Sequence, residues 1–286
     1  MYPLILQKVF CEPWCVLPEQ HWALQEALIA ILESSYDAKA VDPTMAQRPF
    51  TPIAAGLGLT APSQPGSRLY TRGVLGVMPV RGVIGSHLSS LEMACGGYGV
   101  EQFCMDLERA SEDPGIKRLL VDWHSPGGTV TGVPEAAKAF RDFGKNKETF
   151  SFTSGMCASA AYYIASQANN TYLTESAGYG SIGVYSAYLD RTEAMAKRGE
   201  KLRLFRSGDH KGMGLPGSTL TAEQEKMIQD RVDSLGSQFR SAVKSARGDV
   251  SKEDMQGQMF YGRDAIKSKL ADATVMSLGS LVKRLS

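Results

Sequence analysis

The chain has 286 residues, of which 43% are hydrophobic and 21% charged, enough for one substantial core with an appendage. Its formal net charge of +1 excludes the basic footprint of a nucleic-acid-binding protein. Its five cysteines form neither an even disulfide framework nor a complete set of zinc ligands. We therefore expect reduced thiols, and we predict no metal and no organic cofactor.

The first 72 residues differ in character from the rest of the chain. Charges at Lys8, Glu12 and Glu19 interrupt every apolar run that could span a membrane, so we expect no membrane anchor and a cytoplasmic location. Spaced apolar residues between Trp22 and Leu32 predict a helix, which makes 1–35 an N-terminal helical segment. Residues 36–72, rich in Pro, Gly, Ala, Ser and Thr, predict a linker or loosely held strap before a main domain over 73–286.

The main domain alternates between predicted strands and predicted helices. Such alternation indicates an α/β fold with a mainly parallel sheet flanked by helices. The predicted strands cover 74–84, 118–124, 149–153, 170–174, 183–189 and 202–206, and the predicted helices cover 100–110, 134–143 and 220–247.

A Pro-Gly-Gly turn follows the predicted strand at 118–124. Gly127 and Gly128 have no side chain to block an approaching substrate, so their backbone N–H groups can face a carbonyl oxygen. Gly128 is a candidate for half of an oxyanion hole. The alternative is an ordinary turn between a strand and a helix.

Ser159 lies among small residues where a predicted strand leads into a short apolar helix, in Ser-Gly-Met-Cys-Ala-Ser-Ala-Ala-Tyr-Tyr. A serine placed there is a candidate nucleophile, and the N–H of Ala160 is a candidate for the second oxyanion donor. Serine is also a favoured helix N-cap, so an ordinary helix start is the alternative. Cys157, two residues earlier, is a competing nucleophile that we consider weaker.

A serine nucleophile needs a base. The four histidines are His21, His87, His124 and His210, and none has a convincing position for a catalytic triad. Lysine is the other option, since burial can lower the pKa of a lysine until its neutral amine accepts a hydroxyl proton. Lys211, in a Gly-rich stretch 52 positions after Ser159, is the best candidate.

These motifs together resemble the signal peptide peptidase A family of serine–lysine peptidases. The resemblance covers roughly 75–285 and rests on Ala-Ser-Ala-Ala-Tyr-Tyr-Ile-Ala, on Gly-Ser-Ile-Gly-Val at 180–184 and on the Ser-Gly-x-x-Lys stretch ending at Lys211. It implies that Ser159 is the nucleophile, that Lys211 is the general base and that Ser181 hydrogen-bonds this lysine. The family usually has Gly-Gly where this chain has Ala160 and Ala161, which slightly restricts close approach.

The resemblance also carries expectations about fold and substrate binding. It implies a sheet of the crotonase and Clp-protease type, although a Clp-type mechanism would need a histidine near 180–184, where none occurs. Acyl-CoA chemistry on the same fold would need acidic catalytic residues that we do not find near these turns. An extended substrate is expected to pair with the strand edges near 127–132 and 183–187, with small side chains at the cut site and with Gly127, Thr129, Gly183 and Val184 as binding residues.

Within this family, the chain is most similar to phage and prophage head (capsid) maturation proteases. The resemblance implies cleavage of a scaffold or capsid protein, and of the chain itself, in the host cytoplasm or inside the phage prohead. It also implies a homo-oligomer. The alternatives are cytoplasmic degradation of peptides in the manner of signal peptide peptidases, and a catalytically silent assembly protein with the same fold.

Overall fold

The computed structural model describes residues 13–16, 50–89, 92–93 and 96–286. Apart from residues 13–16, the predicted N-terminal helical segment over 1–35 lies outside the described residues.

The described residues include twelve strands. Strand β1 precedes a short helix, and the other strands follow that helix along the chain. The strands are β1 (Trp14–Val16), β2 (Tyr70–Arg72), β3 (Leu75–Arg81), β4 (Val83–Gly85), β5 (Gly97–Gly99), β6 (Arg118–Ser125), β7 (Gly127–Thr129), β8 (Glu148–Ala158), β9 (Asn170–Leu173), β10 (Gly178–Gly180), β11 (Met259–Tyr261) and β12 (Ala273–Thr274).

Helices connect many of these strands and cover the sheets. They are α1 (Phe50–Gly56), α2 (Val100–Glu112), α3 (Val133–Phe143), α4 (Ala160–Ala165), α5 (Thr192–Lys197), α6 (Ala222–Arg247), α7 (Gly262–Lys267) and α8 (Leu278–Leu285). A 3₁₀ turn at Glu253–Met255 precedes β11.

The larger sheet has the strand order β11-β10-β8-β6-β3-β2, and β9 pairs with both β8 and β12. Its central strands β3, β6, β8 and β10 run parallel, while β2 and β11 run antiparallel to their neighbours at the two edges. Parallel strands with both faces covered have continuous apolar sequences. The run Leu119–Val121 in β6 has this character, and all three of its residues are buried.

The smaller sheet has the order β1-β7-β4-β5. The chain passes from the larger sheet to the smaller one within a few residues, because β6 has an irregularity between Trp123 and Ser125 and β7 begins at Gly127. The carboxyl ends of β8 and β10 therefore lie beside β7, at the place where the two sheets meet. The candidate site lies here.

The main hydrophobic core packs α2, α3 and α4 against the larger sheet. In α2 the residues Phe103, Leu107 and Ala110 recur at helical spacing and are all buried. The ring of Phe103 contacts both Trp123 of β6 and Phe140 of α3, at centroid distances of 5.7 Å in each case. The predicted α/β class, with a mainly parallel sheet flanked by helices, is confirmed.

Two predicted strands are wrong. Residues 183–189 form no strand and contribute one isolated bridge at Tyr185, and residues 202–206 are irregular and largely exposed. Both runs contain apolar residues, but among the described strands only β1 bonds to either run, through the single bridge between Trp14 and Tyr185. A strand needs partners for the backbone groups along its whole length.

The predicted linker over 36–72 is not a loose connector in its described part. From Phe50 onward it carries α1 and β2, and Phe50, Ala54 and Tyr70 are buried in a second apolar cluster together with residues of the larger sheet and α8. The proposed domain boundary at residue 73 remains a prediction.

Candidate active site

Ser159 connects the end of β8 to the start of α4. Its backbone has φ 54° and ψ −120°, in a region that residues with a side chain rarely adopt. The surrounding structure holds this conformation from both sides. The Ser159 N–H donates to the Gly180 carbonyl at 2.8 Å, and the Ser159 carbonyl accepts from the Tyr163 N–H at 2.8 Å. The residue is only 1% exposed.

Ser181 lies next to Ser159 because of the strand register. Strands β8 and β10 are parallel, and Ala158 is paired with Gly180, so the two serines follow paired residues at the same edge of the sheet. Ser181 also has a positive φ, of 53°, and its N–H donates to the Gln258 carbonyl at 2.6 Å. Two serines that are 22 positions apart in sequence thus share one buried corner.

The Pro-Gly-Gly turn forms the wall opposite Ser159. Gly127 has φ +107°, and a Cβ added to it would lie 2.9 Å from the Ser159 Cβ and 3.1 Å from the Ala158 carbonyl oxygen. A Cβ added to Gly128 would lie 1.8 Å from the carbonyl oxygen of Ile84 in β4. Only glycine fits at either position, and at Gly127 this lets the backbone of the turn lie close to Ser159.

The two candidate oxyanion donors, Ala160 and Gly128, belong to different elements. Ala160 is the first residue of α4, so its N–H has no partner within that helix. The Ser159 N–H is not available, because it is bonded to Gly180. Gly128 belongs to β7, and its neighbour in the ladder is Cys15 of β1.

Strand β1 lies between the two segments that are predicted to pair with a substrate, 127–132 and 183–187, and we call the space that it occupies the groove. It runs antiparallel to β7, with Trp14 opposite Thr129 and Cys15 opposite Gly128. On its other side, the Trp14 N–H donates to the Tyr185 carbonyl at 2.9 Å, and the Tyr185 N–H donates to the Trp14 carbonyl at 3.1 Å.

The residues predicted to bind substrate are therefore found around a segment of the chain itself. The Cys15 thiol donates to the Gly183 carbonyl at 3.2 Å, and Val184 is a partly buried residue at the margin of the main core. Sequence reasoning did not identify Cys15 as a site residue. The one signal was its unusual context, Glu-Pro-Trp-Cys-Val-Leu-Pro-Glu.

Burial keeps the two thiols of the site protonated. It raises the pKa of the Cys15 thiol to about 12, against a smaller lowering by a side-chain hydrogen bond with Ser159. Burial also raises the pKa of Cys157 well above its usual value. A buried, neutral thiol is a poor nucleophile, which weighs against Cys157 as the alternative to Ser159.

Lys211 is not brought to the two serines. It lies exposed in a turn, where its N–H donates to the Gly208 carbonyl at 3.1 Å. Ser159, Ser181 and Lys211 are all described, and no hydrogen bond joins the lysine ammonium to either serine. The surrounding segment, 183–220, is largely exposed, with Phe205 as much as 92% accessible.

Three further observations concern metal ligands, histidines and long apolar helices in the described part of the chain. No group of three or more His, Cys, Asp or Glu side chains there is arranged to hold a metal ion. His210 is exposed, and its nearest acidic partner is Glu223, at 3.9 Å. Over the same residues, none of the helices combines the length and apolar character that crossing a membrane requires.

Three known proteins are similar in sequence to most of this chain. Capsid assembly protease C of Escherichia phage lambda is 29% identical over 284 residues, which cover 98% of this chain and 64% of that protein. Head-tail preconnector protein GP5 of Enterobacteria phage P21 is 27% identical over 204 residues, covering 70% of this chain and 40% of that protein. A putative signal peptide peptidase SppA of Enterococcus faecium is 28% identical over 202 residues, covering 68% and 58%. The chain spans less than two thirds of the length of each of these relatives.

Two solved structures superpose on the chain at low sequence identity. An enoyl-CoA hydratase from Shewanella pealeana has a TM-score of 0.46 and 12% identity, over 78% of this chain and 73% of that one. A ClpP1 variant from Listeria monocytogenes has a TM-score of 0.45 and 13% identity, over 72% of this chain and 94% of that one.

The model of peptidase family S49 matches residues 141–284, which is half of the chain. The matched region contains Ser159, Ser181 and Lys211, whereas Gly127 and Gly128 precede it. On this match, the chain belongs to peptidase family S49.

Proposed function

We propose that the chain is a serine endopeptidase in which the Ser159 hydroxyl attacks the carbonyl carbon of a peptide bond. One observation carries the proposal: Ser159 is held in a strained, buried turn that faces, across Gly127, a groove lined by strand edges. An extended peptide can pair with such edges, and membership of a peptidase family supports this chemistry.

In the proposed mechanism, Lys211 is the general base. Its neutral amine takes the proton from the Ser159 hydroxyl as the serine oxygen bonds to the carbonyl carbon. The resulting oxyanion accepts hydrogen bonds from the N–H groups of Gly128 and Ala160, each worth about 3–4 kcal/mol in comparable sites. Ser181 hydrogen-bonds the lysine and positions it.

The second half of the reaction returns the enzyme to its starting state. The protonated Lys211 gives its proton to the departing amine as the C–N bond breaks, which leaves an ester on Ser159. Water then loses a proton to the same lysine and attacks this ester. The acid product leaves, and the proton returns to Ser159.

The mechanism requires the exposed 183–220 segment to bring Lys211 to the serines. The segment begins two residues after Ser181, so one end of it is already fixed at the site. Contact with the buried corner would also take the amine out of water, which favours the neutral form of a lysine.

For the substrate, we propose a phage scaffold or capsid protein, cut in the host cytoplasm or inside the prohead. The names of the lambda and P21 relatives support this choice. The test is intact-mass analysis of the neighbouring scaffold or capsid protein after co-expression with the wild-type chain, with Ser159→Ala or with Ser154→Ala. Ser154 is an exposed serine on the same strand and serves as the matched control.

We expect shortened partner proteins with the wild type and with Ser154→Ala, and whole ones with Ser159→Ala. Equal cleavage by Ser159→Ala would refute Ser159 as the nucleophile. Partners left whole by an enzyme that cuts test peptides would refute the capsid substrate, and no cleavage of any kind would favour the silent assembly protein.

A second candidate function is the degradation of apolar peptides, which the name of the Enterococcus faecium relative favours. It differs from the first in selectivity. Comparable rates on unrelated apolar peptides, with scaffold and capsid proteins left whole, would select it.

We also propose that the chain forms a homo-oligomer. Large apolar side chains stand in solvent in the single chain, among them Leu189 (63% exposed), Phe205 (92%) and Met276 (93%). Self-association would cover such residues. Light scattering coupled to gel filtration tests this, and a monomer at all accessible concentrations would contradict it.

A further inference from the structure

Strand β1 fills the groove in the way that an extended peptide would. It is hydrogen-bonded along both edges, to β7 on one side and to Tyr185 on the other. All three of its residues are buried, with exposures of 3% for Trp14, 2% for Cys15 and 3% for Val16. The segment thus takes up the backbone partners and the apolar contacts that a bound peptide would use.

The register places Cys15 at the nucleophile. Neighbouring residues in a strand direct their backbone groups to opposite sides. Since the N–H and C=O of Trp14 face Tyr185, those of Cys15 face Gly128, the proposed oxyanion donor. The Cys15 carbonyl oxygen lies 2.1 Å, and the Ser159 Cβ 2.9 Å, from the point where a Cβ on Gly127 would stand.

The side chain of Cys15 occupies a small, closed space. Its thiol donates to the Gly183 carbonyl at 3.2 Å and also has a side-chain hydrogen bond with Ser159. A longer side chain at this position would have to displace Ser159 or the 183–184 backbone. The groove therefore accepts a residue of about the size of cysteine beside the nucleophile.

We propose that Trp14–Val16 are an internal competitor of the substrate: they occupy the groove in the substrate's register, with Cys15 in place of the residue whose carbonyl is attacked, and must leave before a substrate binds. This inference rests on the proposed peptidase function for the identity of the groove. It assigns to the groove an extended peptide with a small residue next to Ser159.

The test measures displacement of the segment in the full chain carrying Ser159→Ala, which cannot cleave. The probe is a synthetic peptide that copies residues 10–20 with alanine in place of Cys11 and Cys15. Alkylation of each cysteine by iodoacetamide is followed by peptide mapping. Cys157, which is fully buried in the core, is the internal control.

We expect slow alkylation of Cys15 in the chain alone. With peptide at ten times its apparent Kd, about nine tenths of the chain should hold the peptide in place of the segment, so Cys15 should be alkylated nearly as fast as an exposed thiol. Cys157 should stay unreactive throughout. A second peptide, identical except for arginine in place of Cys15, should not compete, because its side chain does not fit beside the nucleophile.

Activity gives an independent measure in the otherwise wild-type chain. Cys15→Arg should expel the strand and increase the rate of hydrolysis of the alanine peptide at low peptide concentration, whereas Ser154→Arg, at an exposed position of β8, should leave the rate near that of the wild type. The inference is overturned if the peptide binds, as detected by calorimetry, without changing the alkylation of Cys15. It is also overturned if Cys15 reacts as fast as an exposed thiol before any peptide is added.

The two proposals fail in different ways. If the peptide displaces Cys15 but the wild-type chain hydrolyses no peptide, the proposal of an internal competitor stands and the proposal of a peptidase is refuted. If the wild-type chain hydrolyses the peptide but the peptide does not change the alkylation rate of Cys15, the peptidase proposal stands and the competitor proposal is refuted.

Discussion

The two halves of the proposed dyad lie in contrasting surroundings. Ser159 follows β8, which is flanked by paired strands on both sides, and its backbone is hydrogen-bonded in both directions. Lys211 lies in the 183–220 segment, which carries one short helix and many exposed side chains. The core thus holds the proposed nucleophile in position before any substrate arrives, whereas the position of the proposed base depends on a segment with few contacts to the core.

The largest effect that tests this contrast is the loss of the base. Lys211→Ala should reduce kcat/KM for a test peptide by about 10⁴-fold or more, as the removal of a member of a catalytic unit does. Lys211→Arg should be as inactive, because a guanidinium remains charged and cannot accept the proton.

The matched control for this change is Lys201→Ala, an exposed lysine in the same segment. It should retain nearly full activity. Substantial hydrolysis by Lys211→Ala would show that Lys211 is not the general base. The base would then have to lie among the buried residues around Ser159.

The second prediction compares a glycine of β7, Gly128, with a glycine of the 183–220 segment, Gly199. A Cβ on Gly128 would collide with the Ile84 backbone, so Gly128→Ala should cost more than about 4 kcal/mol of stability, or prevent folding. Gly199 has φ +77° with nothing within 4 Å, so Gly199→Ala should cost only about 1–2 kcal/mol through its left-handed backbone. Urea denaturation of both variants gives the comparison, and similar losses would contradict it.

A phenylalanine pair tests the same difference in packing. Phe152 of β8 is fully buried, and Phe152→Ala should lower the free energy of unfolding by about 3–5 kcal/mol. Phe205 is almost wholly exposed in the single chain, and Phe205→Ala should change that free energy by no more than about 0.5 kcal/mol. A large loss in Phe205→Ala would mean that the 183–220 segment packs more tightly in solution than the exposed side chain indicates.

The difference between the buried core and the exposed 183–220 segment also explains which elements the sequence predicts well. The predicted strand at 118–124 matches β6, and the predicted helix at 134–143 matches α3 to within one residue, because their apolar residues follow the period of a buried element. The apolar residues of 183–189 and 202–206 give the same local signal, but in the described part of the chain only Tyr185 finds a strand partner, Trp14 of β1. Local sequence indicates a preference for extended structure, but only tertiary contact decides whether a strand forms.

The site was predictable in its parts and not in its assembly. Small residues around Ser159 and the glycines at 127 and 128 are visible in the sequence. The adjacency of Ser159 and Ser181 depends on the register of β8 against β10, which no local pattern encodes. The contact between Cys15 and Gly183 joins residues 168 positions apart, so only the folded chain reveals it.

The smallest predicted effect concerns the point where the exposed segment rejoins the core. Helix α6 begins just after this segment, and a capping box stabilises its N-terminus. The Gln224 N–H donates to the Thr221 hydroxyl at 3.3 Å, and the Thr221 N–H donates to the Gln224 side-chain oxygen at 3.1 Å. Thr221→Ala should lower the free energy of unfolding by about 1 kcal/mol, since it leaves an N–H of the first turn without its side-chain partner. Thr221→Ser retains the hydroxyl and should remain within a few tenths of a kcal/mol of the wild type. If urea denaturation shows equal losses of stability for the two variants, the methyl group of Thr221 and not its hydroxyl stabilises the start of α6. The capping hydrogen bond would then contribute nothing to holding this end of the 183–220 segment.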